Sequence, residues 1–135
     1  MMHAQWRKTA LVVDDEAFAR LYAVQMLLDQ GWCVLEAGDA DEGLDMLLAH
    51  EEVSLLLTDI SMPGEHDGLD LVDRARVERP DMAIVVTSGQ IRPSDGRLPE
   101  GAHFIAKPYT ALALNEAIGA HAAPAVEQQA IVLRA

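Results

Sequence analysis

The strongest constraint on this chain is a set of short, mostly apolar segments, each too brief for a helix and most of them followed by polar or acidic residues. Leu11–Val13, Cys33–Leu35, Ser54–Leu57, Ala83–Val86 and Phe104–Ile105 are the five. Strands that are apolar on both faces belong in a parallel sheet covered on both sides. The segments between them have helical periodicity. Ala17–Gln30 predicts a helix with Phe18, Leu21, Val24 and Leu28 inward, ended by Gly31. Asp39 or Asp41 caps a second helix with Leu44, Leu47 and Leu48 inward, which Gly43 weakens by roughly 1 kcal/mol relative to Ala. Asp67 caps a third, with Leu69, Val72 and Ala75 on one face and Pro80 as its stop. A last helix is expected from near Thr110, with Ala111, Leu114 and Ile118 inward. Strand–helix alternation with right-handed crossovers predicts a doubly wound α/β fold. Gln90–Gly101 is the exception: Pro93, Gly96, Pro99 and Gly101 predict loop where a helix is due.

At 135 residues the chain reads as one domain. Half of its residues are hydrophobic, which argues against disorder. Cys33 is the only cysteine, so no intramolecular disulfide can form, which suits a reducing compartment. The first apolar run, Ala10–Val13, stops at Asp14 and Asp15, far short of a signal or membrane-spanning length. A cytoplasmic location without membrane insertion is the expectation. The net charge of −12 argues against direct nucleic-acid binding and suits a basic partner or a cation.

In doubly wound sheets, ligands bind beyond the carboxyl ends of the strands. Asp14 and Asp15 follow the first strand, Asp59 the third, Thr87 and Ser88 end the fourth, and Lys107 ends the fifth. Clustered carboxylates repel: two unit charges 4 Å apart cost about 4 kcal/mol at an effective dielectric near 20. A divalent cation relieves this, and oxygen ligands in a half-open site suit Mg²⁺. A carboxylate so placed can serve as a nucleophile toward a phosphoryl group, with Mg²⁺, Lys107, the Thr87 hydroxyl and a backbone N–H receiving its oxygens.

The motifs Val13-Asp14-Asp15-Glu16, Thr58-Asp59-Ile60-Ser61-Met62-Pro63-Gly64 with Asp67-Gly68-Leu69, Val86-Thr87-Ser88-Gly89 and Phe104-Ile105-Ala106-Lys107-Pro108-Tyr109 occur in order at strand ends. With them the chain resembles the receiver domain of two-component response regulators, over nearly everything up to about residue 120. The resemblance implies a five-stranded parallel sheet in the order 2-1-3-4-5. It implies Asp59 as phospho-acceptor, Asp15 as a direct Mg²⁺ ligand, Asp14 as one acting largely through water, and the Ser61 backbone carbonyl as a further ligand. It implies Thr87 as the switch hydroxyl, Lys107 as the phosphate's lysine, and Phe104 as the aromatic whose rotamer follows activation. The implied donor is a sensor histidine kinase or histidine phosphotransfer protein, and the output an unidentified protein target. Two departures stand out. The loop Met62–Gly68 is one residue longer than the commonest pattern and brings Glu65 and His66 toward the site mouth. The helix expected within Gln90–Gly101 is short or irregular. The receiver is expected over residues 1–122 and a tail over 123–135, too short for an output domain.

Each residue also has a plain reading. Asp14 and Asp15 suit helix caps, Asp59 a turn before Pro63, Thr87 and Ser88 strand-end hydroxyls, Lys107 a solvated charge and Phe104 core. Their joint placement favours a site. His66 and His103 are expected to be solvated. Two rival functions remain open at this point. A Mg²⁺-dependent aspartyl-phosphate phosphohydrolase would want an acid two residues after the nucleophile, where Ser61 stands. A phosphorylation-independent interaction module would not need the full set of Asp14, Asp15, Asp59, Thr87 and Lys107.

Overall fold

The computed structural model describes residues 8–62, 64–89 and 98–121. Its strands are β1 (Thr9–Val13), β2 (Cys33–Ala37), β3 (Val53–Asp59), β4 (Ala83–Ser88) and β5 (Ala102–Ala106). The helices are α1 (Ala17–Asp29), α2 (Ala40–Ala49), α3 (Gly68–Glu78) and α4, over residues 111–121. All pairings are parallel, and the strand order is β2-β1-β3-β4-β5, as expected. Of the irregular stretch expected at Gln90–Gly101, residues 90–97 lie outside the described set, as does the tail. No described helix is long and apolar enough to cross a membrane.

Strand alternation divides the core in two. Leu11, Val13, Leu56, Ile84 and Val86 point to one face and meet Leu47 of α2 and Leu71, Val72 and Ala75 of α3. Ala10, Val12, Leu55, Leu57 and Val85 point to the other and meet Ala23, Val24 and Leu27 of α1 and Leu114 and Ala117 of α4. The central strands β1, β3 and β4 are buried almost throughout, which is why they read as continuous apolar runs.

The helix faces differ in part from the sequence reading. On α1 only Val24 of the expected stripe is buried. Phe18 is 82% exposed, Leu21 60% and Leu28 47%, while Ala23 and Leu27 turn inward with Val24. This helix is apolar around most of its circumference, so spacing alone does not select a side. The sheet receives the face where Ala23 permits close approach. On α2 Leu47 is buried but Leu48 is half exposed, and on α4 Ala111 is exposed while Ala117 joins Leu114 inside. Leu69 of α3 is only partly buried, and Leu71 takes the deeper position.

Two caps match the expectation. Asp39 caps α2 by accepting from the Glu42 N–H at 2.8 Å. Asp67 and Asp70 cap α3 reciprocally, each carboxylate accepting the other's N–H at 3.0 Å. Gly43 has a packing role: a Cβ there would lie 3.0 Å from Val13 Cγ2 and 3.1 Å from Leu71 Cδ2. The glycine read as a weakness is where α2 comes closest to the sheet.

Candidate functional site

Asp14 emerges from β1 with its polar atoms taken. Its N–H donates to Ala37 O at 3.1 Å. Its Oδ1 accepts from the Glu16 N–H at 3.0 Å, its Oδ2 from Lys107 Nζ at 2.8 Å, and its carbonyl from Arg20 Nη1 at 2.6 Å. Such satisfaction is what a buried carboxylate requires. Glu16, at the start of α1, makes no side-chain cap.

Asp59 ends β3 in register with Thr87 of β4. The next residues are fixed by the backbone: the Ile60 N–H donates to Thr87 O and the Gly68 N–H to Ile60 O, both at 2.9 Å. A Cβ on Gly68 would fall 1.8 Å from the Asp59 carbonyl oxygen, so only glycine fits. Lys107 is held to β4 by its N–H to Ser88 O at 2.9 Å. Its Nζ lies 2.8 Å from Asp14 Oδ2 and 3.6 Å from Asp59 Oδ2, serving Asp14 first.

The electrostatics follow. Burial pushes the Asp59 carboxyl above its ordinary pKa, and the charges of Asp14 and Asp15 push the same way. Lys107 and the Ser61 N–H oppose this without reversing it. Lys107 is pulled down by burial, but its bond to Asp14 and the charges of Asp14, Asp59 and Glu16 outweigh that and raise it. The pocket thus holds more negative charge than its lysine neutralises.

Asp14, Asp15 and Asp59 each offer an oxygen, all within 4.8 Å of one another. Oxygen-only donors, closely spaced, with uncompensated charge on Asp59, fit a hard divalent cation. A cavity of about 660 Å³ opens beside them, lined by Asp15, Glu16, Ala17, Asp59, Ser61, Ser88, Gly89 and Lys107.

The fold therefore brings Asp14, Asp15, Asp59, Ser61 and Lys107 together. Thr87 is 2% exposed and adjoins Asp59 in the sheet without lining the cavity. Phe104 is half buried on the opposite sheet face, in register with Val86. Glu65 and His66 are exposed but do not line the cavity; His66 Nδ1 pairs instead with Asp41 Oδ1 at 2.9 Å, and that bond raises its pKa. His103 is half buried rather than solvated, and burial lowers its pKa.

Sequence reasoning missed three supports: Arg20, the Gly68 contact, and Tyr22, whose hydroxyl donates to the Tyr109 carbonyl at 3.0 Å. Gly68 alone carried a signal, a glycine beside a cap, where close approach is common.

The model of the response regulator receiver domain matches residues 10–119. A chemotaxis protein CheY homolog of Campylobacter jejuni is 38% identical over 112 residues, covering 78% of this chain and 85% of that protein. The nitrogen assimilation regulatory protein NtrX of Azorhizobium caulinodans is 34% identical over 105 residues, covering 75% of this chain. The match spans only 23% of that longer relative. A response regulator receiver protein from Sinorhizobium medicae has a crystal structure that superposes with a TM-score of 0.78 at 28% identity, covering 87% of this chain and 95% of that one. The chain belongs to the response regulator receiver family of two-component signalling.

Proposed function

We propose that Asp59 accepts a phosphoryl group from a phosphohistidine on a sensor kinase or phosphotransfer protein, in a Mg²⁺-dependent reaction. The observation that carries this reading is Lys107 Nζ held between Asp14 and Asp59 at the rim of a cavity that Asp59 enters. The Asp59 carboxylate would attack phosphorus as the donor's N–P bond breaks, the electron pair returning to the imidazole nitrogen. Asp14, Asp15, Asp59 and the Ser61 carbonyl would hold the cation. Once bound, it supplies positive charge to the carboxylates and the phosphoryl oxygens. Lys107 neutralises a further oxygen. The Thr87 hydroxyl moves toward the phosphate, and Phe104 follows as the reporter of the switched state, a shift between two populations of one fold. Ser61 and Gly89, small residues on the cavity wall, leave room for the water that later hydrolyses the acyl phosphate. On this reading the chain is a regulatory, cytoplasmic domain spanning residues 1–122 that acts on a protein target, not on nucleic acid.

The test is intact-mass spectrometry after incubation with acetyl phosphate and Mg²⁺. One phosphoryl group should be gained by the wild type and by no Asp59→Asn sample. Phosphorylation that persists in Asp59→Asn would refute the assignment, and repeated turnover of a small phosphomonoester would favour the phosphohydrolase.

A further inference from the structure

We propose that Arg20 is a positioning residue for the cation-binding acids Asp14 and Asp15, an inference that rests on the phospho-acceptor reading above. Arg20 lies on α1 and reaches back over the end of β1. Its Nη1 donates to the Asp14 carbonyl at 2.6 Å, and its Nε donates to Glu36 Oε1 of β2 at 3.1 Å. An exposed ion pair with Glu36 alone would matter little. The carbonyl contact is different, because that oxygen belongs to the peptide joining Asp14 to Asp15. The side chain of Asp14 is already fixed by Lys107 and by the Glu16 N–H. Asp15 is exposed, and its orientation depends on the plane of that peptide. A charge-assisted bond from a guanidinium, itself held in place by Glu36, sets that plane.

The sign of the effect separates positioning from simple charge. Arg20 adds positive charge near a cation site, so its removal should strengthen cation binding if charge alone matters. If Arg20 sets the acids' geometry, its removal weakens binding, as loss of a group that orients metal ligands does.

The experiment is calorimetric Mg²⁺ titration of the full chain as wild type, Arg20→Ala, Arg20→Lys and Glu36→Gln, with unfolding temperatures measured in chelator. Arg20→Ala should weaken Mg²⁺ binding by about tenfold. Arg20→Lys should restore only part of it, since one ammonium cannot hold Glu36 and the Asp14 carbonyl in the same fork. Glu36→Gln should weaken binding less than Arg20→Ala. Unchanged or tighter binding in Arg20→Ala overturns the proposal, as does a lowered unfolding temperature with unchanged affinity. Should Arg20→Ala not fold, Arg20→Lys decides: wild-type affinity there overturns it. A wild type without Mg²⁺ affinity instead overturns the underlying reading.

Discussion

The turns that follow β1 and β3 both deliver an acid to the same pocket, and they do so by opposite means. After β1, side chains do most of the fixing: Lys107 and Arg20 hold Asp14, helped by one backbone donor, the Glu16 N–H, and α1 begins with no side-chain cap. Glu16 and Ala17 are left lining the cavity. After β3, the backbone does the fixing: Gly68 closes on Ile60 and sits against Asp59, while α3 seals its own start with Asp67 and Asp70. The Asp59 carboxylate is left incompletely compensated. The contrast teaches a division of labour. One acid is held still, and the other is kept electrostatically unsatisfied where an incoming electrophile would meet it.

The largest test of that contrast is Gly68→Ala. A methyl 1.8 Å from the Asp59 carbonyl oxygen cannot be absorbed by a side-chain rotation. Chemical denaturation should show a loss of more than about 3 kcal/mol. A loss under about 1 kcal/mol would mean that the loop yields freely and that its backbone fixes little.

Asp59→Asn comes next and acts in the other direction. A raised carboxyl pKa in the folded state means that Asp59 contributes stability below the pKa of an unfolded aspartate, near 3.9, and loses it as pH rises through the folded value. In chelator at pH 7 the ionised group therefore opposes folding, and the asparagine should raise the unfolding midpoint. The gain should fade as pH falls toward about 4. An asparagine variant less stable than wild type at pH 7 would show that Asp59 is as well compensated as Asp14.

The caps give a smaller contrast. Asp67→Ala should cost about 1 kcal/mol, whereas Glu16→Ala, which loses no cap bond, should stay within about 0.5 kcal/mol in the same unfolding assay. Equal losses would erase the difference between the two helix starts. Smallest of all, Phe18→Ser should change stability by less than about 0.5 kcal/mol, because its ring is 82% exposed. A larger loss would place Phe18 in the core after all.

Much of the fold was legible because its strands are buried on both faces. A run such as Leu55–Leu57 has no solvent side to interrupt it, and parallel strands with right-handed crossovers leave few topologies. The pocket was legible because Asp14, Asp59 and Lys107 sit just where strands stop. The helix faces were less so. On α1 the apolar residues outnumber the places under the sheet, so Phe18 and Leu21 compete on paper with Ala23 and Leu27, and only three-dimensional fit decides. Arg20 was invisible for a related reason: an arginine on a helix looks solvated until the strand end beneath it is known. Ala111 is exposed although Tyr109 just before the helix and Leu114 three residues on are both buried.

The hydrogen bond from Gly68 to the Ile60 carbonyl ties off the chain between them. An insertion between Met62 and Asp67 should spare Asp59 and Ser61, because the bond from Gly68 to Ile60 holds the two ends of the tied segment. Lengthening residues 61–67 by one changes ring-closure entropy by only about 0.1 kcal/mol. The lasso is therefore where a lineage could vary chain length, and with it the shape offered to partners, while the chemistry beside it stays the same.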